Sequence, residues 1–265
     1  MKIFKDNKSL LVGVIITGVV LLLALIGWIW TPYSTTQMSL ELKYLPPSWP
    51  HILGTDNYGR DIASRIMQGI GTTFIVSAAT VAFGMIVGSA IGMISGYVGG
   101  WIDEIIMRIN DVINAFPSIL LALIFVSLLG TGLINIILAL GILFVPSFAR
   151  IARSEMLRLK GMPFVQSARL SKASGARVIF AHILPNAMPS ILASAAVGFN
   201  NAVLAEAGLS YLGLGVQPPD PSLGRMISEA GSSLMLAPWY AIFPGVAIIV
   251  LVLGIALISD GMAEN

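Results

Sequence analysis

RIARSEMLRLKGMPFVQSARLSKASGARVIFAHILPN, residues Arg150 to Asn186, carries seven of the fifteen Lys and Arg residues of a 265-residue chain. On either side lie long apolar runs that are almost free of charge. A basic segment, punctuated by Gly161 and Pro163 and set between runs of hydrocarbon length, has the character of a large cytoplasmic loop in a polytopic membrane protein.

The composition agrees. Hydrophobic residues make up 56% of the chain and charged residues only 11%, too little polar surface for a water-soluble fold of this size. A net charge of +2 does not argue for a nucleic-acid partner. With no cysteine, disulfides and thiolate metal sites are excluded.

Leu10 to Trp30 holds no charge, and its 21 residues would span about 30 Å as a helix, the thickness of a bilayer core. That is too long for a cleaved leader, so it reads as a retained first span. Lys2, Lys5 and Lys8 before it place the N-terminus in the cytoplasm, and Trp28 and Trp30 suit the far interface. Thr31 to Gly71 then lies outside. Within it LGTDNYGRD (Leu53 to Asp61) has the composition of a solvated turn, and Asp61 and Arg65 are spaced to pair on a following short helix.

Thr72 to Tyr97 forms the second span, with Gly84, Gly88, Gly92 and Gly96 in a stripe that admits close approach of another helix. The third span follows Gly99-Gly100, with Asp103, Glu104, Arg108 and Asp111 at its inner end and a bend at Pro117. Leu133 to Ala149 returns as the fourth. Met188 to Leu209 is the fifth, and its Asn200, Asn201 and Glu206 are candidate pathway or gate residues, since polar groups at membrane depth face a bundle interior or an aqueous cavity. A solvated position for Glu206 at the outer interface is the competing reading. Ser222 to Leu236 has the spacing of an amphipathic helix lying on the outer surface, and Trp239 to Ile258 is the sixth span. Both termini are then cytoplasmic, with eleven Lys or Arg on inner segments and four on outer ones.

No phosphate-cradling G-x-x-x-x-G-K-[ST] and no H-E-x-x-H occurs, and His51 and His182 fall on opposite sides of the membrane. Catalysis by this chain is not expected. It carries no catalytic residue, metal or cofactor site of its own.

Gln166 to Asn186, QSARLSKASGARVIFAHILPN, resembles the EAA loop of binding-protein-dependent ABC importers. Gln166, Ser167 and Ala168 align with its E-A-A, Lys172 stands where its glycine belongs, and Ile183, Leu184, Pro185 and Asn186 match its end. LGTDNYGRD and AEAGLSYLGLG (Ala205 to Gly215) narrow the resemblance to C-type permease subunits of the dipeptide, oligopeptide and nickel branch.

The resemblance implies an all-α membrane protein with six transmembrane helices in the type I (MetI-like) permease fold. Residues 1–31 would be the cytoplasmic tail and first helix, 32–71 an extracytoplasmic segment, and 72–260 a five-helix core with its coupling loop at 150–188. Gln166, Ser167, Ala168, Arg169, Lys172, Gly175, Ile183, Leu184 and Pro185 would couple to an ATPase, with small residues entering a groove and basic ones meeting carboxylates at its rim. Partners would be a homologous permease, two ABC ATPase subunits that hold ATP and Mg, an extracytoplasmic solute-binding protein and membrane lipid. Lys172 in place of glycine makes a left-handed backbone angle costly there, and Gly175 is a candidate to take over the turn. Two other classes stay open: a stand-alone secondary transporter or channel using Glu206, and a membrane scaffold without transport activity.

Overall fold

The computed structural model describes residues 8–263, so Lys2, Lys5 and Glu264 lie outside the described residues. The elements are α1 (Lys8–Ile29), α2 (Ile62–Val98), α3 (Gly100–Ala115), α4 (Ser118–Leu129), α5 (Leu133–Leu159), α6 (Pro163–Leu170), α7 (Leu184–Tyr211), α8 (Leu223–Ala230) and α9 (Trp239–Ala263). Among the described residues, five helical stretches are long and apolar enough to cross a membrane, or six if the bent pair α3–α4 counts as one span.

Glycine decides which helices touch. Along α1 the buried positions Leu10, Gly13, Thr17, Val20, Ala24 and Gly27 recur every three or four residues, a single seam on one face. The seam meets α9 running the other way: a Cβ on Gly13 would lie 2.7 Å from the Ile258 nitrogen, and one on Gly254 2.6 Å from the Thr17 hydroxyl. The Gly84–Gly96 stripe on α2 packs as closely against α5, which runs in the same direction. A Cβ at Gly84 would come within 2.5 Å of Phe144 Cβ, and one at Gly88 within 2.5 Å of the Val145 carbonyl. Close backbone approach of this kind maximises dispersion contact where lipid supplies no hydrophobic drive between helices.

The third span departs from a single bent helix. α3 and α4 meet at 95°. Pro117 has no N–H to continue the ladder, and its ring pushes Phe116 into an extended conformation (φ −87°, ψ 145°). α3 is therefore a separate amphipathic helix. It is anchored by Arg153, which donates through Nε and Nη2 to both Asp103 oxygens at 2.6 Å, and by Arg150 to Asp111 at 2.7 Å.

Other boundaries move as well. α2 begins at Ile62, not Thr72, because Asp61 caps it by accepting from the Ser64 amide and hydroxyl, each at 2.8 Å. α5 continues to Leu159, so the first ten residues of the basic loop are helical. The turn Gly175–Arg177 leads through a π-helical stretch, Val178–Ile183, directly into α7. Pro185 thus sits at a helix start and Pro189 inside the helix, where neither ends it. The bundle has two ends: the lever end, bearing α6, and the loop end, formed by residues 30–61 and 212–238.

Candidate coupling lever and translocation cleft

α6 is a short helix with a buried underside. Pro163 occupies its first turn, where a missing N–H costs nothing, and Val165 is wholly buried beneath it. The helix ends in a reciprocal pair of backbone bonds, Ala173 N–H to the Ala168 carbonyl (3.1 Å) and Lys172 N–H to the Arg169 carbonyl (2.9 Å). This is the Schellman geometry, which requires a left-handed residue after the helix. That residue is Lys172, at φ +57°. Gly175 does not take over the turn. It lies against α2 instead, where a Cβ would come within 2.9 Å of the Tyr97 hydroxyl.

The coupling candidates divide by direction. Gln166, Ser167, Arg169 and Lys172 are exposed, as is Pro185. Ala168 and Leu184 are half-buried against the core, and Ile183 is 0% exposed. Ile183 therefore helps seat the lever and does not face outward. The Gln166 amide donates to the Gly161 carbonyl at 3.0 Å, a bond that a carboxylate could not make. Arg169 lies over the Tyr97 ring, 5.4 Å from its centroid. Arg150, Arg153, Arg158 and Lys160 are committed to Asp111, Asp103, Glu155 and the Gly96 carbonyl, so much of the loop's positive charge is spent within the chain.

A cleft of about 450 Å³ opens beside the break between α3 and α4. Asn114 and Ser118 flank the break, Ser147 comes from α5 and Asn201 from α7, with Phe144 and Leu204 among the apolar walls. Of the three pathway candidates only Asn201 lines it. Asn200 is partly buried, with Oδ1 unpartnered among the described residues. Glu206 is 0% exposed on another face of α7, where Ser210 Oγ donates to it at 2.6 Å and Ser222 Oγ lies 3.3 Å from Ser210 Oγ. It is neither solvated at an interface nor open to the cleft. Asn114, Ser118 and Ser147 carry no sequence signal, since a single polar residue, whether beside a helix break or within an apolar helix, sets no period.

The loop end holds a charge cluster where a solvated turn was expected. Asp56 is 0% exposed and accepts from the Tyr58 and Arg60 amides (2.8 and 2.9 Å), from Arg60 Nε (2.6 Å) and from Arg65. Glu229 on α8 accepts from Arg60 and Arg65 at 3.0 Å each, Arg225 at 3.1 Å and the Tyr240 hydroxyl at 2.8 Å. Burial pushes the Glu229 carboxyl up, but Arg65, the Tyr240 hydrogen bond and Arg60 outweigh it and hold the group below its ordinary value. Arg65 does not pair with Asp61, whose carboxylate is occupied by Ser64 and by His51 Nδ1 at 3.0 Å. Asp56 and Arg60, also four apart, were the pair to look for.

Comparison with known proteins fits this architecture. Residues 88–265 match the family described as binding-protein-dependent transport system inner membrane component. The chain is 40% identical over 263 residues to the dipeptide transport system permease protein DppC of Alkalihalophilus pseudofirmus, covering 99% of this chain and 86% of that one. It is 42% identical over 218 residues to the glutathione transport system permease protein GsiD of Pectobacterium atrosepticum, covering 82% and 72%. An inward-facing structure of the MetNI methionine ABC transporter shares the fold, with a TM-score of 0.62 at 20% identity over 76% of this chain and 95% of that one. A stand-alone transporter built on Glu206 finds no support in these likenesses or in that residue's sealed position. The chain belongs to the family of inner membrane permease components of binding-protein-dependent ABC importers.

Proposed function

We propose that this chain is one of two permease subunits of a peptide importer, driven from the lever end by ATPases on separate chains. The observation that carries the reading is α6, an exposed helix on a buried seat, joined through Gly175 and the π-helical stretch to the pathway helix α7. A helix held this way passes a displacement on to α7 as a body, since packed elements shift between discrete arrangements. Two ABC ATPase subunits carry the ATP and Mg, one gripping this lever and one the partner permease's. Gln166, Ser167, Arg169 and Lys172 supply the gripped face, with Pro185 exposed beside it; Ala168, Gly175, Ile183 and Leu184 hold it in place. ATP binding favours one state of the permease pair and hydrolysis the other, which is alternating access driven by differential affinity.

The lever end and both termini then lie in the cytoplasm, with the loop end outside, where a solute-binding protein delivers its cargo. The second permease closes the open side of the cleft, and lipid covers the remaining apolar surface; nucleic acid has no part. The named relatives carry dipeptides and glutathione, and the described residues include no cluster of three or more His, Cys, Asp or Glu fit to hold a metal, so peptide is the substrate adopted over a nickel complex. The reading is tested by purifying the tagged chain with its partners and measuring ATP-driven dipeptide uptake in vesicles. A stoichiometric ATPase lost when Gln166–Gly175 is replaced supports it. Transport by the chain alone, without ATP, overturns it.

A further inference from the structure

We infer that the cleft between α3, α4, α5 and α7 is a binding subsite for the amide backbone of the solute in transit; this rests on the importer reading above. Asn114, Ser118, Ser147 and Asn201 converge on it from four helices, and none has a side-chain hydrogen bond to another described residue. Ser147 and Asn201 stand in the interiors of membrane-length helices. Polar groups at that depth facing lipid would stay unsatisfied, whereas facing a solute they find partners.

The donor set defines the ligand. An Asn side chain offers two N–H donors and a carbonyl acceptor, matching the N–H and C=O of a peptide group, and each Ser offers one donor and two acceptor positions. Among the described residues no Lys, Arg, Asp, Glu or His lines the cleft, so a stripped ion or a metal chelate with exposed charge would find no counter-charge on them. Peptide amides are thus held here, while the charged ends of the solute remain in the water-filled side that the second permease completes. The remaining wall, including Ile119, Phe144 and Leu204, is apolar and indifferent to side-chain identity. The volume, about 450 Å³, falls among sites for small organic ligands.

This chain has no cysteine, so a thiol introduced into it is the only one it carries, and labelling is read on this chain after the subunits are separated. The experiment uses the assembled transporter in proteoliposomes, with Ser147→Cys, Asn201→Cys and, as a lipid-facing reference, Ile249→Cys on the outer face of α9, where Ile249 is 64% exposed. The two cleft variants are expected to react with a charged, water-soluble thiol reagent faster than the reference, and a transported dipeptide slows that reaction. Asn201→Leu is expected to lower dipeptide uptake about tenfold through loss of a hydrogen-bonding partner. A competent parent whose cleft variants react only with a lipid-soluble maleimide, or without dipeptide protection, overturns the subsite alone. A parent complex without ATP-driven uptake overturns the importer reading and the subsite with it.

Discussion

Arg65 and Glu229, 164 positions apart, meet at 3.0 Å between Nη1 and Oε2 in a nearly dry pocket. The contact ties the start of α2 to α8, and through the Tyr240 hydroxyl to the start of α9. Arg60 and Asp56 join the same cluster from the preceding loop. Removing one partner of a buried pair leaves the other charged and desolvated, which costs about 3–5 kcal/mol. Arg65→Ala is expected to lower the thermal stability of the detergent-purified chain by an amount of that order. The exposed pair Glu104–Arg108, 3.5 Å apart, serves as control, and Arg108→Ala should move the midpoint little.

Acid should loosen the same cluster. Because the Glu229 carboxyl is held below its ordinary value of 4.5, its contribution is complete above that pH and is lost as pH falls through the depressed folded value. Stability from this group should therefore be level from neutral pH to about pH 5 and decline only in stronger acid. Glu229→Gln should start from a less stable protein and show a shallower decline below pH 4.5, measured by unfolding midpoint against pH.

A glycine inside a helix seam and one outside it predict opposite outcomes for the same chemical change. A Cβ at Gly88 would lie 2.5 Å from the Val145 carbonyl, and one at Gly92 would strike the Ala149 carbonyl. Backbone cannot yield as a flexible side chain can, so α2 and α5 must separate. Gly88→Ala is expected to destabilise by about 1–3 kcal/mol, the range for overpacking. At Gly18 on α1 nothing lies within 4 Å of the added methyl, and Gly18→Ala should be neutral or stabilising by up to about 1 kcal/mol. Unfolding midpoints of the two variants check the contrast.

Much of this bundle was legible because membrane helices announce themselves by length and apolarity, and Gly84 to Gly96 by a regular four-residue interval. What stayed hidden depended on groups that meet only in three dimensions. Asp56, in a turn of polar composition, gave no sign that Arg65 and an acid on α8 would bury it. Glu206 could be read as an intramembrane acid or as a solvated one at the outer interface; the face of α7 it occupies depends on Ser210, one turn on, and on Ser222 in the loop that follows. The break at Pro117 was foreseen as a bend, but its 95° angle reflects the anchoring of α3 by Arg150 and Arg153 from a distant helix. Within the motif stretch a short helix, Pro163–Leu170, was expected and is present, while which of its side chains look inward carried no sequence signal.

Lys172 holds a conformation that favours glycine, at φ +57°. A Cβ in the left-handed region costs about 1–2 kcal/mol, partly offset on replacement by glycine's greater freedom in the unfolded chain. Lys172→Gly is expected to stabilise the end of α6 by about 1 kcal/mol or less, Lys172→Asn by less again, and Lys172→Val to destabilise it. Hydrogen exchange at the Lys172 and Ala173 amides, both held in the Schellman pair, reports the ordering directly.

Ala168 and Leu170 separate the seat of the lever from its outer face. Leu170 is 85% exposed, whereas Ala168 is half-buried and packs with Ala173 against the core. Leu170→Asp acts chiefly on what a partner meets, since an exposed acid in the last helical turn costs the helix only about 0.3–1 kcal/mol. It should lower the exchange protection of α6 in the isolated chain far less than Ala168→Asp does, and weaken association with the ATPase, as a charge forced into an apolar contact does. Ala168→Asp pushes a carboxylate beneath the helix, and should lower that protection in the isolated chain before any partner is added. Both variants are expected to reduce ATP-driven uptake, so uptake alone cannot tell them apart. Exchange in the free chain and ATPase co-purification together do so. Leu170→Asp with full ATPase association would place the gripped surface elsewhere on the loop.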